Sequence, residues 1–101
     1  MTDLNDKDRC GVLHTSEFGA FNTLGITVGT NGYQGGDSGH GGRTYISIHD
    51  LGCTDMDVSV SRSSGYGPKL EIILGGDSEL DSLIEGLRWA ADKLEELKNI
   101  Q

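Results

Sequence analysis

The apolar residues of this chain recur at every second position up to Leu74 and at every third or fourth position from Leu80 onward. A period of two belongs to a strand with one buried face. A period near 3.6 belongs to a helix with one buried stripe. The change falls at Gly75-Gly76-Asp77, where glycines end a strand and Asp77 or Ser78 can cap a helix. The expected class is therefore α+β, sheet first and one helix last.

Four runs carry the strand pattern. FNTLGITVG (21–29) puts Leu24, Ile26 and Val28 on one face, with Thr23, Gly25 and Thr27 on the other. RTYISIHD (43–50) sets Ile46 and Ile48 against Arg43, Tyr45, Ser47 and His49. MDVSVSR (56–62) turns Val58 and Val60 inward, and KLEIILGG (69–76) does the same with Leu70, Ile72 and Leu74. GVLHTSEFG (11–19) reads as a short edge strand, and residues 61–68 read as a hairpin loop ahead of Pro68. The pattern predicts an antiparallel β-meander of four to five strands. From Asp77, Leu80, Leu83, Ile84, Leu87, Ala91 and Leu94 form one stripe. It predicts a C-terminal α-helix of about twenty residues packed on one face of the sheet. Residues 1–101 make one domain, and the polar segment 1–10 is expected to be a flexible lead-in.

Sixteen acids face eight Lys and Arg, a formal charge of −8. Phosphate contacts dominate nucleic-acid affinity, so direct nucleic-acid binding over a broad surface is excluded, and an anionic membrane surface with it. The sequence shows no secretory h-region and no run of eighteen apolar residues. The expected location is cytoplasmic, with Cys10 and Cys53 reduced.

NGYQGGDSGHGG (31–42) is far longer than a hairpin needs. Glycines allow close approach of main-chain N–H groups to a ligand, and successive N–H groups can cradle an anion. In the loop 31–43 and the neighbouring strand, Arg43 and His40 can meet phosphate and Asp37 a ribose hydroxyl. Tyr33 or Tyr45 can stack on a base, and His49 lies on the same outer strand face as Tyr45. A long surface loop without a ligand is the competing reading. Walker A and Gly-x-Gly-x-x-Gly patterns are absent.

Cys10-x3-His14 and His49-x3-Cys53 are two mirrored pairs, and four such ligands suit tetrahedral zinc. The spacing matches no familiar finger or ribbon, so four unconnected residues is the stronger reading and no cofactor is expected. The GDSG string at 36–39 matches the nucleophile surroundings of serine proteases in four letters only. Asp37, Ser38 and His40 are too close in sequence for a rigidly held triad, so the chain reads as a non-enzyme.

Trp89 falls opposite the leucine stripe, among Glu85, Asp92 and Glu96. Either the N-terminal segment covers it or another chain does. Gly86, costly in mid-helix, permits close backbone approach, which suits an interface. A homo-oligomer is expected on this ground.

NGYQGGDSGHGGRTYISIHDLG (31–52), together with LGGDSELDSLIEGL (74–87), resembles in style the small phage-encoded accessory proteins. The resemblance implies a counter-defence role in a host cytoplasm and transfers no functional residue. Some such proteins sequester nucleotide signals. Others, of the anti-CRISPR or nuclease-blocking kind, imitate nucleic acid with acidic surface. The leading expectation is a binding protein that holds a small phosphorylated or nucleotide-like ligand in loop 31–43. The alternatives are an acidic inhibitor that docks a basic protein through the helix face around Trp89, and a small homo-oligomeric structural domain.

Overall fold

A computed structural model describes residues 3–20, 22–37, 40–52, 54–62 and 65–100. A short 3-10 helix, Leu4–Cys10, leads into β1 (His14–Phe18), β2 (Thr23–Thr30), β3 (Thr44–Gly52), β4 (Asp55–Arg62), β5 (Pro68–Gly75) and α1 (Asp77–Ile100). All strand pairs are antiparallel. The fold is α+β, with five strands and one C-terminal α-helix among the described residues, each near its expected place in the chain.

The strands do not form one meander. β1, β2 and β3 make a three-stranded sheet in that order, and among the described residues β4 pairs with β5 alone. Side-chain hydrogen bonds at the β3–β4 junction account for the break. The Asp50 carboxylate accepts the N–H groups of Gly52 (3.0 Å) and Thr54 (3.2 Å), and the Thr54 hydroxyl donates to the Thr23 carbonyl (3.3 Å). These bonds turn the chain across the end of the sheet and away from the β3 edge.

Leu24, Ile26 and Val28 of the central strand are fully buried, as period two requires, and Ala90 of α1 closes over them. The helix is turned differently from the expectation. Its buried positions are Glu79, Ser82, Gly86 and Ala90, and the expected Leu80, Ile84 and Leu87 are exposed. The face that meets β2 is the row of small residues at i, i+4 spacing, roughly 100° around from the leucine stripe. A Cβ on Gly86 would overlap Ile26 Cδ1 and stand 3.4 Å from Phe18 Cδ2. Glycine here sets how closely the helix lies on the sheet. The close approach that Gly86 permits is therefore made within the chain.

Asp77 and Ser78 occupy the first turn of α1, where their polarity suits the dipole. Glu79 folds back against Gly76 and accepts a hydrogen bond from the Asn22 side chain, tying the helix start to the β1–β2 turn. Residues 4–10, expected as a flexible lead-in, wind into the 3-10 helix instead. The Asp3 carboxylate accepts the Asn5 N–H at its start, and the Cys10 side chain is buried at its end. Among the described residues, no helix is long and apolar enough to cross a membrane.

Candidate functional site

The glycine-rich loop is folded on itself. Asn31 N–H donates to the Arg43 carbonyl (3.3 Å), and Arg43 N–H donates to the Asn31 side chain (2.7 Å), which closes the base. His40 N–H donates to the Asp37 carbonyl (3.0 Å) further out. A Cβ on Gly41 would overlap the Gly36 carbonyl, and one on Gly42 would overlap the Gly32 carbonyl. These two glycines are needed because backbone passes directly over backbone. The loop is thus shaped from within, whatever else it holds.

Arg43 anchors the loop from behind. Its buried guanidinium donates to the Asp6 carboxylate (3.2 Å) and to the carbonyls of Gly41 (3.0 Å) and Gly42 (3.3 Å). One side chain therefore fixes the end of the loop to the N-terminal 3-10 helix. Planar, multiply donating guanidinium suits this task, and lysine would not reproduce it.

The residues expected to share one ligand are distributed over two clefts and two faces. Tyr33 and Asp37 line a cleft of about 530 Å³ between the loop and the C-terminal half of α1, opposite Glu95 and Lys98. Lys98 Nζ stands 5.7 Å from the Tyr33 ring centre. Its charged lining is two acids and one base. Arg43 and Tyr45 border a second cleft, of about 540 Å³, walled by the 3-10 helix and reached by Arg62 from the end of β4. Lys7 Nζ lies 5.5 Å from the Tyr45 ring centre there. The charged side chains of this cleft are Lys7, Arg43 and Arg62 against Asp3 and Asp6. His49 is exposed on β3 opposite Gly25, and His40 is exposed in the loop; neither borders either cleft.

The register also separates the zinc candidates. His14 stands opposite Val28 and His49 opposite Gly25, on strands to either side of β2. Three residues along a strand are about 10 Å, far beyond a shared tetrahedral ion. Cys10 is buried with its thiol 3.7 Å from the Asp6 carbonyl. Cys53 and Ser38 lie outside the described residues. Among those described, no group of three metal-ligating side chains comes together.

Trp89 is half-buried and packs on Phe18 of β1, ring centres 5.9 Å apart and tilted by 56°. The covering ring comes from β1 and not from the segment 1–10. Glu85, Asp92 and Glu96 are exposed, with Glu96 held by Lys93 at 3.2 Å.

Lys7 and Arg62 were not among the expected ligand residues. Nothing local marks them: they lie 55 positions apart and meet only because β4 runs back toward the start of β3. The chain matches no protein-family model, no curated protein and no solved structure.

Proposed function

We propose that the protein is a non-enzymatic binding protein for a small phosphorylated, nucleotide-like ligand, taken up in the cleft of Lys7, Arg43, Tyr45 and Arg62. One observation carries the reading: three of the chain's eight basic side chains converge on a single cleft beside an aromatic ring. In a chain of net charge −8, this cleft has a formal surplus of positive charge. Arg62 offers a planar fork for phosphate, Lys7 a mobile point charge, and Tyr45 a stacking surface. Arg43 contributes field from behind while its hydrogen bonds hold the loop. Two acids in the lining limit the anionic charge the cleft tolerates, which favours one phosphate over a polyphosphate chain.

The loop then serves the site indirectly, by placing Arg43 behind the basic cleft. In the counter-defence setting that the resemblance implies, such binding amounts to sequestration of a nucleotide signal. Calorimetric titration and thermal shift against inorganic phosphate and a panel of linear and cyclic mononucleotides test the proposal. A binder should raise the melting temperature, since a ligand at a hundred times its Kd stabilises by about 2.7 kcal/mol. The exposed substitutions Lys7→Ala and Arg62→Ala should remove that rise while leaving far-ultraviolet circular dichroism intact. No response across the panel, or a response that both variants keep, overturns it.

A further inference from the structure

The folded chain leaves two apolar surfaces bare. On α1, Leu80 is 57% and Leu87 48% exposed. On the β4–β5 hairpin, Val60 is 66% and Leu70 64% exposed. The hairpin residues are organised. Val58 stands opposite Ile72 and Val60 opposite Leu70, so they form one apolar face made of cross-strand pairs. At its base the same face continues through the pair Met56 and Leu74, which pack against the core. The helix stripe also begins at the core, through Leu83 and Leu94. Each surface is thus an extension of the hydrophobic core beyond the part the chain covers by itself.

The whole molecule carries the same signature. A monomer of 10.8 kDa that folds alone exposes about 5,500 Å². This chain exposes 7177 Å². Its radius of gyration is 15.1 Å, against about 13 Å for a compact chain of this length. The surplus is about 1,600 Å², twice the roughly 800 Å² that each partner loses in a standard protein interface. A two-stranded hairpin is marginal in water unless a helix or a further strand covers it. The stripe of an amphipathic helix needs a sheet or another helix. The chain holds one of each, and they are not closed on one another.

We propose that a second copy of this chain supplies both covers at once. The apolar face of β4–β5 from one protomer lies on the Leu80–Ile84–Leu87 stripe of its partner, and the reverse contact completes a two-fold dimer. An isologous interface needs both surfaces on one molecule, placed so that a single two-fold axis relates the two contacts; otherwise the same pair joins copies head to tail. Trp89, which packs within its own chain, lies outside this contact, and Arg62, two residues beyond Val60 on the same face of β4, stands at its edge.

Sizing chromatography with light scattering should give twice the 10.8 kDa chain mass for the unmodified protein at micromolar concentration. Val60→Lys and Leu87→Glu should each lower that mass to one chain or, if the protomer depends on its partner, lose helical circular dichroism. Mixing the two variants is the decisive arm. In the mixed dimer one contact is native and the other sets lysine on glutamate, so dimer mass and helix signal should both return. A monomeric unmodified protein overturns the proposal. So does a dimer that either variant leaves intact, or that the mixture fails to restore, as hairpin-on-hairpin or helix-on-helix packing would require.

Discussion

Replacing Gly86 by alanine sets two effects of known size against each other. In a solvent-facing helix position the change stabilises by about 1 kcal/mol, because glycine has the greater freedom to lose. Here the new methyl lands on Ile26 Cδ1, about 1.5 Å inside van der Waals separation, and Ile26 is fully buried on the central strand. Overpacking of a filled core costs about 1–3 kcal/mol. The net expectation is a loss of about 1 kcal/mol. A sharper result comes from the pair. Ile26→Val deletes the colliding atom at a cost of about 0.5–1.5 kcal/mol by itself. In that background Gly86→Ala should turn from destabilising to stabilising, a coupling of about 1–2 kcal/mol. Urea unfolding followed by Trp89 fluorescence, at one fixed protein concentration, measures all four corners of the cycle. Additivity to within about 0.3 kcal/mol, with Gly86→Ala stabilising in both backgrounds, would refute the orientation of α1 described above.

Other outcomes follow from the same contacts. Arg43→Ala should destabilise by about 3 kcal/mol, the low end for a broken buried pair since Asp6 is partly exposed, and Arg43→Lys should recover little of it in chemical denaturation. Gly42→Ala should cost about 2 kcal/mol because its methyl meets the Gly32 carbonyl, whereas Gly67→Ala, with open space around it, should stay within about 0.5 kcal/mol. Phe18→Ala should shift Trp89 emission to longer wavelength and lower the urea midpoint, as the indole loses its covering ring.

Element type and position were legible because they depend on local period. Leu24, Ile26 and Val28 alternate and are buried; the helix starts where the period changes. The orientation of α1 was not legible by the same rule. Apolar periodicity shows that Leu80, Ile84 and Leu87 share a face, and it says nothing about which surface covers that face. The row Ser82, Gly86, Ala90 was the available signal for close packing on a sheet, and a leucine stripe outweighs it in any reading based on hydrophobicity. The break between β3 and β4 turned on Asp50 and Thr54 side-chain bonds, which a strand pattern does not encode. At the candidate site, Tyr45 and Arg43 could be named from their neighbourhood in the chain. Lys7 and Arg62 required the tertiary return of β4, and the pairing of Arg43 with Asp6 required a folded N-terminal segment.

Amide hydrogen exchange across β4 and β5, measured over a dilution series, tests most directly whether the uncovered apolar faces belong to an interface. Exchange in the hairpin should be slow at micromolar concentration, and this protection should be lost on dilution before the amides of β2 begin to open. Hairpin amides that exchange at one fast rate at every concentration, while β2 stays protected, would contradict it.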